Sequence, residues 1–340
     1  MTTARRDVHA PSIWAFILIA LGVIWLLSEA NILTGANMVV LFRLWPVILI
    51  AFGLELLVGR GSRSLSLLIG LGTVVLLLVL MVVGPALGLA PSAEVHEQQY
   101  TEPIGDAASA QVNLDLSVGQ TTVQPLTDSN ALLTADLRYL GEVDFRVDGT
   151  TEKYVTLSSR NNGIQAFDFL GLSLFNGADQ NDLRWDIGLT TSIPLDLRLN
   201  GGVGESSIDL SALQLSRLDY NNGVGDTTIS LPGIGSYDVR LNGGVGNTRV
   251  NLADGAAVTL NVSGGVGSIT LDLPDNAPVH LTAQGGLGNV SVPANFNQLS
   301  GDDRNVSRDG VWETTNYASA GDTPHIDIEF NGGVGELVIR

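Results

Sequence analysis

Three long apolar runs open the chain. Residues 13–27 are almost unbroken Ile, Leu, Val, Ala, Trp and Phe, continuing more weakly to Leu33, and similar runs cover 38–58 and 65–87. At 1.5 Å per residue each is long enough to cross a hydrocarbon core of about 30 Å. None has the polar stripe of an amphipathic core helix, and three in series do not read as a cleavable leader. The pattern therefore predicts a membrane domain over 1–90 with transmembrane helices at about 13–33, 38–58 and 65–87. Trp14, Trp25 and Trp45 fit interfacial anchors.

The periodicity changes after Pro91. Residues 91–110 are polar, with Pro91, Pro103 and many small side chains, and read as a linker. From Gln111 the apolar positions alternate through Val112, Leu114, Leu116 and Val118, the period of a half-buried strand. Strand-like runs follow at 132–139, 143–147 and 154–157. Residues 160–182 are less regular and hold Phe167, Phe169, Leu170, Leu172, Leu174 and Phe175, either an end cap or a contact surface.

A glycine motif then recurs with a fixed spacing. Gly202-Val203-Gly204, Gly223-Val224-Gly225, Gly244-Val245-Gly246, Gly265-Val266-Gly267 and Gly286-Leu287-Gly288 lie 21 residues apart. A late copy, Gly333-Val334-Gly335, comes 47 residues further on, and a degenerate early one, Ser117-Val118-Gly119, precedes the series. Five residues before the last glycine of each copy stand Leu199, Tyr220, Leu241, Val262, Ala283 and Phe330. Four after it stand Ile208, Ile229, Val250, Leu271, Val292 and Ile339. Each unit thus reads as one strand before the glycines and one after, stacked on its neighbours at about 4.8 Å. The fold class expected is all-β: a parallel β-solenoid with 21-residue rungs over 111–340, behind the three transmembrane helices. The glycines would form a positive-φ corner, with the intervening valine plugging it from inside. One residue outside the corner, Asn200, Asn221, Asn242, Ser263, Gln284 and Asn331 form a column that either bonds along the stack or presents a ligand-binding row. Residues 297–323 interrupt the repeats as a surface loop and end cap.

Charge divides the chain as sharply as hydropathy does. Residues 1–90 hold five basic and three acidic residues; residues 91–340 hold 12 basic and 32 acidic, a net of −20. So acidic a domain argues against nucleic acid as a partner and against lying flat on an anionic bilayer. Arg5 and Arg6 precede the first apolar run and Arg60 and Arg63 lie between the second and third, which places both segments in the cytoplasm. Three spans then deliver the β domain to the extracytoplasmic side. Arg43 and Glu55 fall within the second run; each either snorkels to the interface or makes an intramembrane contact.

The chemistry on offer is sparse. There is no cysteine, which removes disulfides and thiolate sites. A phosphate loop needs Lys-Ser/Thr after its glycines, yet Lys153 is the only lysine. A dinucleotide fingerprint needs a helix where a strand follows here. Calcium-binding β-rolls repeat every nine residues and need Asp where Ser206, Thr227, Thr248 and Ile269 stand. His9, His96, His280 and His325 have no metal-ligand spacing. The reading is of a non-enzyme without cofactor or metal.

These residues carry a resemblance. The block with Leu21-Gly22, residues 28–33 and residues 44–53 resembles the LiaF-type transmembrane region. Residues 185–231, with Ile193-Pro194-Leu195-Asp196-Leu197, Gly202-Val203-Gly204 and Ile208-Asp209-Leu210, are similar to the LiaF C-terminal or toast-rack domain, and residues 111–139 to that family's N-terminal part. The resemblance implies a bacterial multi-pass protein of the cell membrane. It would be an accessory of the cell-envelope stress response that works through protein contacts and restrains a sensor histidine kinase. Such regions often have four spans; three are read here. An adhesin-like or scaffold module that binds at the cell surface is the alternative. The partners expected are the lipid bilayer, a sensor kinase or other envelope protein, and a second copy of the chain.

Overall fold

The computed structural model of the chain describes residues 63–84, 95–127, 130–160, 183–301, 309–321 and 323–340, with scattered positions between 22 and 53 and Leu87. It divides into two units. The first contains one long described helix, α1 (Arg63–Val83), which carries no charged residue after Arg63. Its side chains are described from Gly70 onward. Counting described residues alone, no helix is long and apolar enough to cross a membrane. Most of the three expected spans, Arg43 and Glu55 among them, lies outside the described residues, as do residues 161–182 with their phenylalanines.

The second unit comprises Val95–Asn162 and Asp179–Arg340 and is built of strands. In chain order these begin with β1 (Val95–Pro103), β2 (Ser109–Asp115), β3 (Gln120–Leu126), β4 (Ala131–Leu140) and β5 (Glu142–Asp148). Next come β6 (Glu152–Arg160), β7 (Arg184–Thr190), β8 (Leu195–Asn200), β9 (Ser206–Asp209), β10 (Leu215–Asn221) and β11 (Thr227–Leu231). Then follow β12 (Ser236–Asn242), β13 (Thr248–Leu252), β14 (Ala257–Ser263), β15 (Val266–Asp272), β16 (Val279–Gln284) and β17 (Leu287–Ser291). The chain closes with β18 (Phe296–Gly301), β19 (Gly310–Thr314), β20 (Ile326–Asn331) and β21 (Val334–Ile339).

They form two sheets. One runs β1-β4-β7-β3-β9-β11-β13-β15-β21-β17, the other β18-β19-β16-β20-β14-β12-β10-β8-β2-β6-β5. In the middle of each sheet the pairings are parallel, and Leu197, Leu218, Val239 and Leu260 stand opposite one another at the 21-residue spacing. Alternate residues of both sheets point inward and make one apolar core. Every second position is buried because only half of each strand's side chains fit between two sheets about 10 Å apart.

The architecture differs from a uniform parallel stack at three places. The sheets are mixed: β1, β4 and β5 run antiparallel to their neighbours at one end, and β18 and β19 do so at the other. Residues 95–103, read as linker, are strand β1. Its run Glu97-Gln98-Gln99 is exposed because an edge strand is covered on one side only, so it lacks the alternation that marks an inner strand. Third, rung order is not chain order. The last two strands, β20 and β21, are inserted between β14/β15 and β16/β17, parallel to both neighbours. The 47-residue excursion is long enough to leave the stack, add the β18–β19 hairpin as a cap on β16, and return. Phe330 then sits opposite Val262 on one side and the small Ala283 on the other.

Candidate functional site

The recurring corner is the feature the whole stack shares. Parallel strands 4.8 Å apart bring one copy's glycines onto the carbonyls of the copy below, and two separate demands follow. At the first glycine the demand is space. A Cβ on Gly244 would lie 1.9 Å from the Gly223 carbonyl oxygen, and one on Gly223 would lie 1.8 Å from that of Gly202. Gly202, Gly265 and Gly333 meet the preceding rung in the same way. At the second glycine the demand is conformation as well: Gly246 has φ +134°, and Gly204, Gly225, Gly267 and Gly335 are also positive. The expected positive φ therefore belongs to the second glycine. Gly244 is not left-handed, and it excludes side chains by contact alone. At the end of the stack the roles shift, with Gly286 at φ +90° and Gly288 confined by the Gly335 carbonyl.

The valines face outward. Val203, Val224, Val245, Val266 and Val334, with Leu287, are between 39% and 59% exposed, and successive members bridge in parallel. The inside of the corner is already filled by the residue two after the second glycine, the buried Thr227, Thr248 and Ile269, so the valine has no interior to enter. Around Tyr220 this filling becomes polar. Its hydroxyl lies 3.2 Å from both Thr227 Oγ1 and Asn222 Oδ1, and burial raises its pKa against the lowering pull of the Thr227 and Ser206 hydrogen bonds. The result is an exposed apolar ridge, six side chains long, on an acidic domain.

Beside the ridge runs the amide column. Asn221 donates to Asn200 at 2.6 Å and Asn242 to Asn221 at 2.6 Å, while Asn200 donates to the Asp115 carboxylate. Asn200 and Asn221 each spend a donor and an acceptor on the stack and Asn242 a donor, so their first use is to hold neighbouring rungs in register. On the ridge's other flank Asp226 accepts from both the backbone and the side chain of Asn247.

Two histidines that are 45 residues apart in sequence converge at the capped end. His280 Nδ1 lies 2.9 Å from Glu313 and its Nε2 3.2 Å from Thr282. Tyr317 stacks 5.3 Å from His280 and edge-on 5.9 Å from His325, and donates to Asp327 at 2.6 Å. That bond to a carboxylate pushes the Tyr317 pKa up to about 12. The group arises because β16 pairs with both β19 and β20, which sequence spacing does not disclose. Among the described residues no three His, Asp or Glu side chains form a metal-holding group. The cluster lies on the outer face of a sheet, where it pins the cap and the inserted strand together.

The chain matches two family models. The LiaI-LiaF-like transmembrane region matches residues 12–57, and the N-terminal domain of toast_rack, DUF2154, matches residues 91–251. No curated protein matches it. Among solved structures, a proposed cell adhesion protein from Clostridium sporogenes ATCC 15579 is 19% identical with a TM-score of 0.45, covering 73% of this chain and 100% of that one. A proposed adhesin from Bacteroides fragilis NCTC 9343 is 13% identical with a TM-score of 0.28, covering 74% and 99%.

Proposed function

The chain belongs to the LiaF-like toast-rack family, and from that premise we propose a non-enzymatic, membrane-anchored regulator of the cell-envelope stress response. Its transmembrane region associates it with the membrane. In this reading three helices, at about 13–33, 38–58 and 65–87, anchor it with the N-terminus in the cytoplasm. The β domain, with its two mixed sheets, stands on the extracytoplasmic side. It works by protein contact, restraining a sensor histidine kinase until the envelope is damaged.

The observation that carries this reading is the ridge of Val203, Val224, Val245, Val266, Val334 and Leu287 on a domain of net charge −20. Contiguous apolar surface rimmed by polar side chains marks a protein contact. Neither matched family model describes an enzyme. Deleting the gene and measuring stress-gene output with and without a cell-wall antibiotic tests the proposal. Output that rises in the absence of the drug is expected; output unchanged under both conditions overturns it.

A further inference from the structure

The ridge has a spacing, and the spacing selects what can lie along it. Val203, Val224, Val245, Val266, Val334 and Leu287 pair in parallel, rung on rung. Successive side chains therefore stand about 4.8 Å apart, and the six span about 24 Å. A column of glycines runs on each side of them, Gly202, Gly223 and Gly244 on one and Gly204, Gly225 and Gly246 on the other. The valines are thus a row of knobs between two furrows floored by backbone. Beyond one furrow lies the neutral amide column. Beyond the other lie Glu205, Asp226, Asn247, Ser268, Glu336 and Asn289, all exposed except the half-buried Ser268. Neither row holds a basic side chain.

We propose that the ridge is the seat of an α-helix of a partner protein, one with an apolar stripe and lysine or arginine along one shoulder. A helix offers a hole between four side chains every 3.5 residues on average, about 5.25 Å along its axis. Against a ridge step of about 4.8 Å the mismatch is about 0.5 Å. It adds to roughly 2 Å over the six positions, less than half a step, so knob and hole stay matched. An extended strand repeats its facing side chains about every 6.7 Å and is out of step by the second valine. The glycine furrows take the helix side chains on either side of each valine, where any larger residue would hold the helix off. Glu205, Asp226 and Glu336 set the sign of the shoulder that faces them. A second copy fits worse. A two-fold axis along the ridge would set every valine against its own equivalent, knob on knob, and an axis across it would lay the acidic row on itself. Six half-exposed side chains make a small interface, so the helix binds weakly and reversibly. The proposal rests on the reading of the ridge as a protein contact.

The chain's lack of cysteine lets one thiol report the contact. Full-length protein in lipid nanodiscs carries either Val245→Cys on the ridge or Ser236→Cys, exposed at the start of β12, as the control away from it. The probe is a synthetic helix of about 18 residues with leucine at the stripe positions, one of them replaced by cysteine, and lysine along one shoulder. Disulfide trapping in a glutathione buffer, read on a non-reducing gel, should be roughly tenfold greater at Val245→Cys than at Ser236→Cys. It should fall roughly tenfold when glutamate replaces the probe's lysines, and Glu205→Lys with Glu336→Lys should erase that preference at an unchanged melting temperature. Equal trapping at the two cysteines, or a lysine preference that survives both charge reversals, overturns the proposal. So does a Val245→Cys homodimer stronger than the probe adduct, which gives the ridge to a second copy. The gene deletion tests the regulatory role separately. Trapping as expected beside unchanged stress-gene output supports the helix seat and removes the role; no trapping beside raised output overturns the seat and keeps the role.

Discussion

Replacing Gly244 by alanine tests the stacking argument with a single methyl group. The new Cβ would lie 1.9 Å from the Gly223 oxygen and 2.7 Å from the Asn222 oxygen, whereas real Cβ contacts stay beyond 3.0 Å. Both obstacles are backbone, so the corner must part by roughly 1 Å. The bonds at risk are Val245 N–H to Gly223 O at 3.0 Å and Gly225 N–H to Val245 O at 2.9 Å. Losing one such bond and leaving its partner half-buried costs about 1–3 kcal/mol. For a domain of this size that lowers the melting temperature by on the order of 10 °C. Gly235→Ala is the control. Its φ is +86° and nothing lies within 4 Å of a Cβ, so it suffers backbone strain alone, about 1–2 kcal/mol. Thermal unfolding followed by circular dichroism compares the two. If Gly244→Ala melts within about 1 °C of the unaltered protein, or no lower than Gly235→Ala, the contact argument is wrong.

Three further outcomes follow from the geometry. Val245→Ser removes a half-exposed ridge side chain and should change stability by less than about 1 kcal/mol while raising stress-gene output, measured by denaturant melts beside a reporter strain. Lys153 holds the end of β1 through Glu102 at 2.5 Å and the Pro103 carbonyl at 2.7 Å; Lys153→Met should lower stability by about 2–3 kcal/mol in a urea titration, and adding Glu102→Gln should recover part of it. Tyr317 has its folded pKa raised to about 12 from the ordinary 10.0, first by the bond to Asp327. The stability this confers is present below pH 10 and lost as pH rises through 12, so Tyr317→Phe should remove that alkaline step from urea melts followed by circular dichroism across this pH range.

The parts of the fold legible in the sequence are those that repeat. Leu197, Leu218, Val239 and Leu260 announce their stacking because identical positions recur at one spacing, and their pairing keeps that register. The corner valines were legible as a column but not in direction. Their facing depends on Thr227 and Thr248 filling the inside, a packing fact that no periodicity contains. Strand β1 escaped notice because an edge strand needs no apolar alternation. The place of β20 and β21 escaped for another reason: inward Ile326, Ile328 and Phe330 fit any rung, and a long connection leaves the neighbour open. The His280–Tyr317–His325 group exists only once that insertion is made.

In the proposed topology the β stack samples the far side of the membrane from the N-terminus. Fusing alkaline phosphatase, and separately a fluorescent protein that matures only in the cytoplasm, after Arg340 in living cells reads the compartment directly. High phosphatase activity with no fluorescence is the predicted result. Fluorescence without phosphatase activity would put the ridge in the cytoplasm and contradict the claim.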